Sequence, residues 1–213
     1  MNRQNLEIIS EQDGLHLDGL VIAPKEPRAV LQISHGMCEH KERYIPFMEY
    51  MAGQGYVCVI HDHRGHGKSV QSQDDLGYFY ENGGESLVED LYQITRMMKE
   101  KWQELPYFLF GHSMGSMAVR CYIKKYDCAI DGLVVCGCPA KNSLAGLGQG
   151  INRLAQRHRG AHSRSRLIDY LFFGDFEKEF GKKEPHSWIC SDPEVVRQYN
   201  EDPCCNFTFT LNG

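Results

Sequence analysis

The sequence predicts an α/β protein built on a mostly parallel β-sheet with helices on both faces. Two patterns carry that prediction. Short apolar runs of buried-strand character alternate with longer segments whose apolar residues recur every three or four positions. The composition, 42% apolar and 24% charged over 213 residues, is that of a globular domain and excludes collagen-like, coiled-coil and disordered chains.

The elements follow in order. Leu6 to Ile9 and Leu15 to Ile22 read as two strands around a turn at Asp13-Gly14. Residues 29–34 form a third strand, a compact apolar run ending at His35-Gly36. Residues 44–54 have helical spacing, with Tyr44, Phe47, Met48 and Met51 on one side. Residues 56–60 are a buried-type strand, and a polar, glycine-punctuated loop runs from His61 to Gly84. Residues 86–102 give the clearest helix: Leu87, Leu91, Ile94, Met98 and Trp102 share a stripe, and Lys99 and Lys101 lie late, where they suit the helix dipole. Pro106 ends it. A strand at 107–110, a helix at 113–125 and a strand at 132–136 complete the alternation.

Beyond Pro139 the pattern changes. Residues 141–205 carry no clear strand and read as a helical cap inserted above the sheet; 1–140 form the core and 206–213 return towards it. Within the cap, Asp192-Pro193 starts a short helix reaching Gln198. Arg153, Arg157, Arg159, Arg164 and Arg166 make a basic group that offers itself to a solvated face or an anionic lipid surface. Leu167, Ile168, Tyr170, Leu171, Phe172 and Phe173 either pack the cap onto the core or line an acyl pocket.

Composition also narrows the partners. A net charge of −5 argues against nucleic acid. No apolar run is long enough to span a bilayer, and residues 1–5 lack the apolar stretch of a signal peptide, so a cytoplasmic location is expected. Nine cysteines without C-x-x-C spacing read as free thiols, with no cysteine zinc site expected. Cys136 and Cys138 read as small hydrophobes on one strand face, and Cys204-Cys205 is a vicinal pair. His61, His63 and His66 have ligand-like spacing, but Gly65 stands where an acid would be needed; the loop is expected to be fixed by hydrogen bonds of Asp62 and Arg64, and neither metal nor cofactor is expected.

The chemistry concentrates in Gly111-His112-Ser113-Met114-Gly115, a G-x-S-x-G sequence between a strand and a helix. A sharp turn there presents the Ser113 hydroxyl, while the helix N-terminus aims N–H groups at a developing oxyanion. Oxyanion donors in such a site come from the residue after the serine and from the loop after the third strand, here the backbone N–H of Met114 and of Met37, supported by Gly36.

Three blocks, His35-Gly36-Met37-Cys38-Glu39-His40, Asp62-His63-Arg64-Gly65-His66-Gly67-Lys68-Ser69 and Gly111-His112-Ser113-Met114-Gly115-Ser116, resemble the α/β-hydrolase family of monoacylglycerol lipases and lysophospholipases in order and spacing. Arg43-Tyr44 and Asp192-Pro193-Glu194-Val195-Val196 are also similar to that family. The resemblance implies an eight-stranded fold with a helical cap. It also implies hydrolysis of an acyl ester, such as a monoacylglycerol or lysophospholipid, through a Ser113 acyl-enzyme with an acid and a histidine. Other reactions of the fold (peptidase, thioesterase, acyltransferase) and a non-catalytic binding protein are the alternatives.

The triad order serine, acid, histidine leaves only His158, His162 and His186 after Ser113, and none follows a strand-like run. The triad acid and base, with the last strands, are therefore expected to be absent from these 213 residues. This chain alone is expected to be weakly active or inactive, with an exposed sheet edge at 133–136 open to completion by another chain.

Overall fold

The computed structural model describes residues 1–139, 145–165, 178–180 and 184–213. Six strands form one sheet: β1 (Asn2–Ile9), β2 (His16–Ala23), β3 (Ala29–Ser34), β4 (Tyr56–His61), β5 (Tyr107–His112) and β6 (Gly132–Cys136). Their spatial order is β1-β2-β4-β3-β5-β6. The β1–β2 hairpin and the β2–β4 pair are antiparallel, while β4, β3, β5 and β6 run parallel. After β3 the chain passes to β4 on one side and then returns to β5 on the other. The order thus reverses between β3 and β5, and ligand crevices of open α/β sheets lie at such a reversal, beyond the carboxyl ends of the strands. Ser34 pairs with Gly111 at that point, so the loop after β3 and the Ser113 turn emerge side by side.

The alternation of β4 shows how the sheet is covered. Val57 and Val59 face α2 (Gly83–Lys101) through Ile94 and Met98, whereas Cys58 and Ile60 face α1 (Ile45–Gly53) through Met48 and Ala52. Helix α3 (Met114–Tyr126) joins α2, packing Val119 and Tyr122 with Leu91 and Leu109. Burying each of these large apolar side chains stabilises by about 1.5–3 kcal/mol. One polar knot sits inside this packing: Gln32 Oε1 accepts from Thr95 Oγ1 (2.7 Å) and Tyr107 Oη (2.6 Å), and its Nε2 donates to Leu91 O (2.9 Å).

The predicted strands and helices of the first 136 residues are present, with shifted ends. Helix α2 begins three residues earlier than predicted, at Gly83, with Asn82 in the left-handed region at φ 55°. In α1, Met48 is fully buried, while Phe47 stays partly exposed and lies against Phe110, 5.6 Å between ring centres.

One reading gains detail and one needs correction. The 61–84 loop is held by Asp62 and Arg64, and at its start His61, Asp62, His63, Arg64 and His66 are all buried. Hydrogen bonding permits this burial, since Arg64 reaches Asp90 (2.9 Å), Asp13 (2.8 Å), Phe79 O and Ser10 Oγ. Cys136 and Cys138 do not share a strand face. β6 stops at Cys136, which is exposed, and Gly137 turns the chain at φ 60° before Cys138.

Beyond residue 139, α4 (Ala145–Arg159) runs through residues whose glycines gave no helical signal, and α5 (Pro193–Glu201) starts from Asp192, whose carboxylate accepts from Glu194 N (2.9 Å). Among the described residues of 141–205, β pairing is limited to one isolated bridge, Arg164 with Thr210. The final residues lie on the 76–80 segment: Thr210 N donates to Gly77 O (3.1 Å), and Asn212 Oδ1 accepts from Phe79 N (2.7 Å). Arg166 and the apolar group Leu167, Ile168, Tyr170, Leu171, Phe172 and Phe173 lie outside the described residues. No helix among the described residues is long and apolar enough to cross a membrane.

Candidate active site

Ser113 stands at the turn between β5 and α3 with φ 51° and ψ −116°, a strained conformation for a residue with a side chain. Its neighbours explain how the strain is held. Ser113 N donates to Cys136 O (3.0 Å) at the end of β6, and Ser113 O accepts from Ser116 N (2.9 Å) and from the Ser116 hydroxyl. A Cβ added at Gly115 would run into the carbonyl oxygens of Ser34 and His35, and one added at Gly111 would stand 2.5 Å from Gly115 O. Only glycine lets α3 begin this close to the end of β3.

The loop after β3 closes on the same point. A Cβ added at Gly36 would lie 3.3 Å from Ser113 Cβ and 3.2 Å from His112 Nδ1. Gly36 N donates to Glu39 Oε1 (2.5 Å), an oxygen that also accepts from Tyr44 Oη (2.8 Å) and faces His112 Nδ1 at 3.2 Å. Tyr44 Oη lies 3.1 Å from the same His112 nitrogen. Arg43 Nε reaches the other Glu39 oxygen at 3.4 Å. Burial opposes the Glu39 charge, yet the hydrogen bonds from His112 and Tyr44 outweigh it and hold the carboxyl down at about 2. Burial and the adjoining Glu39 carboxylate push the Tyr44 phenol well above its ordinary range, so it stays a donor.

The backbone N–H groups of Met37 and Met114 make no backbone hydrogen bond among the described residues. Met114 is the first residue of α3, where N–H groups have no partner within the helix. Ser113 Oγ likewise has no side-chain hydrogen-bond partner among the described residues. Of the three histidines after Ser113, His162 stacks on Tyr78 (3.7 Å between centres) near Asp75, His186 Nδ1 bonds to Asn200 Oδ1 (2.6 Å), and His158 is exposed on α4.

Behind the loop lies a cluster of neutral imidazoles. His35 contacts His63 (4.2 Å between ring centres) and His66 (5.2 Å), and His61 contacts His63 (4.8 Å). Burial pushes His61 and His66 down to about 3 and lowers His35 and His63 as well. His63 N donates to His35 Nε2 (2.9 Å), which leaves the His35 proton on Nδ1, bonded to Gly36 O (2.7 Å). The spaced histidines thus act here as packing that fixes the Gly36 peptide. Asp62 also fixes the loop: its carboxylate accepts from Lys41 N (2.7 Å), Lys41 Nζ (3.0 Å) and Lys68 N (2.9 Å).

The sequence singled out Ser113, Met37, Met114, Gly36, Gly111, His112 and Gly115, and the structure gathers these segments at the carboxyl ends of β3 and β5. It missed Glu39, whose only sequence signal is an acid three residues after Gly36. It also missed two sets of ligand-capable side chains whose donor atoms lie within 4.8 Å of one another: His40, Asp202 and Cys205, and His40, Glu42 and Asp62. Both depend on residues that are distant in sequence or read as loop polarity.

Comparison with known proteins agrees with this geometry. Residues 25–212 match the family model described as serine aminopeptidase, S33. The chain is 27% identical over 178 residues to a monoacylglycerol lipase of Mycolicibacterium smegmatis, covering 84% of this chain and 56% of that protein. It is 33% identical over 113 residues to the human monoglyceride lipase, covering 53% of this chain and 36% of that one. A thermostable carboxyl esterase from Bacillus coagulans, solved with glycerol, superposes with a TM-score of 0.90 at 28% identity, over all of this chain and 70% of its own. The chain spans between about a third and just over half the length of the lipases from monkeypox virus, mycobacterium and human that it matches.

Proposed function

The chain belongs to the serine aminopeptidase S33 family, with the α/β-hydrolase fold, and we propose that it is the nucleophile-bearing part of a serine carboxylester hydrolase acting on acyl esters such as monoacylglycerols or lysophospholipids. The observation that carries this reading is the strained Ser113 backbone at φ 51°, set beside the glycine loop after β3. Ser113 Oγ attacks the ester carbonyl, and the N–H groups of Met37 and Met114 receive the oxyanion. The Ser113 proton needs a base, which we place, together with its acid, outside these 213 residues, because His158, His162 and His186 are engaged or exposed elsewhere.

An ester fits better than a peptide with a free amino terminus. An aminopeptidase has to grip a substrate ammonium, and the acid beside Ser113, Glu39, is spent on Gly36, Tyr44 and His112. The lipase relatives favour the same choice. Ile151 and Leu154 are exposed on α4 between arginines, which suits contact with a lipid surface where such substrates reside. Flotation with anionic vesicles is expected to carry the chain, and Leu154→Glu to release it; equal flotation of both would remove that role.

The test of the main reading uses a fluorophosphonate probe and p-nitrophenyl butyrate. Slow labelling confined to Ser113 and lost in Ser113→Ala is expected, with ester turnover lower than that of a complete serine hydrolase by about 10³-fold or more, as when triad members are removed. Fast turnover abolished by Ser113→Ala would place a base within the chain. No labelling even after the missing base and acid are restored would favour a binding protein.

A further inference from the structure

We propose that His40, Asp202 and Cys205 form a binding site for one thiophilic divalent transition-metal ion, of the zinc type, at the seam between the loop after β3 and the turn after α5. The three donors are an imidazole nitrogen, a carboxylate oxygen and a sulfur, and they lie within 4.8 Å of one another. Zinc sites open to a further ligand use three such side chains, with metal–ligand bonds of about 2.0–2.3 Å, so tetrahedral closure asks for ligand movements of about 1 Å.

The surroundings are those of a ligand set. His40 Nε2 points at Asp202 Oδ2 (2.8 Å), while its other nitrogen, Nδ1, is bonded to Glu42 Oε2 (2.6 Å). A carboxylate on the second nitrogen is the usual partner of a metal-binding histidine, because it fixes the ring's orientation and tautomer. Lys41 Nζ holds the other Glu42 oxygen at 2.8 Å, and so fixes the carboxylate in turn. Asp202 Oδ1 accepts from Cys204 N (2.8 Å), leaving Oδ2 directed at His40. Cys205 N donates to Asp202 O (3.0 Å), so the carboxylate and the thiol belong to one turn. Cys205 is buried, which favours a neutral complex over separated charges.

The alternative set, His40 with Glu42 and Asp62, is already filled by a cation. Lys41 Nζ sits 2.8 Å from Glu42 Oε1, 3.0 Å from Asp62 Oδ2 and 3.2 Å from Asp18. Lys41 thus occupies the Glu42 side of His40, and the Nε2 side faces Asp202. Binding there releases two protons to solvent, one from the imidazolium Nε2 and one from the Cys205 thiol, and leaves the fourth position to water. Since His40 follows Glu39, the ion would tie the loop that carries Gly36 and Met37 to the segment after α5.

The experiment is a Co²⁺ titration of the protein without a histidine tag, followed by Zn²⁺ displacement. One equivalent of Co²⁺ is expected to give a near-ultraviolet thiolate-to-metal band and the strong visible bands of a four-coordinate ion, both erased by Zn²⁺. Cys205→Ser should abolish the thiolate band. Asp202→Asn should keep it while weakening affinity more than about 100-fold, and Glu42→Gln should weaken it about 10–100-fold, the range for partners behind a ligand. Cys204→Ser should change nothing. Absence of a thiolate band, loss of the band in Cys204→Ser, or a band indifferent to both Cys205→Ser and Asp202→Asn overturns the proposal; circular dichroism confirms that each variant is folded.

Discussion

Glu39 does more than any other side chain of the loop after β3, since one carboxylate fixes Gly36, Tyr44 and His112. Its folded value of about 2 lies below the ordinary 4.5. A depressed carboxylate adds stability above its unfolded value and loses it as pH falls towards the folded one. The full contribution is about 3 kcal/mol above roughly pH 5, and close to half of it is gone by pH 3.5. Glu39→Gln should therefore be less stable than the parent at pH 7 and close much of that gap by pH 3.5, as read from urea midpoints. A gap that stays constant with pH would remove the ionised carboxylate from the account. At this scale Ser113 was legible in the sequence and Glu39 was not. The serine announces itself through a steric requirement, glycines on both sides of a strand–helix turn, whereas an acid in a loop looks the same whether it is solvated or buried in a network.

Elements were legible where burial follows a period. Helix α2 shows its stripe because Leu87, Leu91, Ile94 and Met98 are all buried, Ile94 and Met98 with Val57 and Val59, Leu87 and Leu91 with Val119 and Tyr122. The burial of the segment from His61 to His66 resisted reading for the opposite reason: it rests on hydrogen bonds and ring contacts, and polar residues in a non-periodic order give no sign of burial. Its anchor is Arg64, fully buried, which ties the segment after β4 to Asp13 of the β1–β2 turn and to Asp90 of α2. Removing the guanidinium strands two carboxylates, and breaking a buried pair costs about 3–5 kcal/mol. Arg64→Met keeps the apolar stem and should still lower stability by that amount in urea. Pairing it with Asp90→Asn should recover part of the loss, and a Met variant as stable as the parent would show that the network carries no weight.

At the scale of the whole molecule, the two edges of the sheet differ in character. β1 forms its edge as the outer strand of an antiparallel hairpin and carries the exposed polar residues Arg3, Gln4, Asn5 and Glu7. β6 pairs with β5 alone, and it presents Val134 and Val135, 47% and 40% exposed, beside backbone groups that have no strand partner among the described residues. Apolar parallel strands of this kind are ordinarily covered on both sides, and a flat, uncharged edge invites another strand. The reaching partner, whether a second copy or another segment, would also act on chemistry, because Cys136 O at the end of β6 holds Ser113 N. The chain by itself is therefore expected to self-associate through β6. Sedimentation velocity should show a concentration-dependent increase in mass, and Val135→Lys, which places a charge on the edge, should return the monomer without lowering the melting temperature. If β6 packing also tightens the serine turn, fluorophosphonate labelling of Ser113 should rise with association in the parent and stay flat in Val135→Lys. A parent chain that remains monomeric across the concentration range would show that the open edge is protected by some other means.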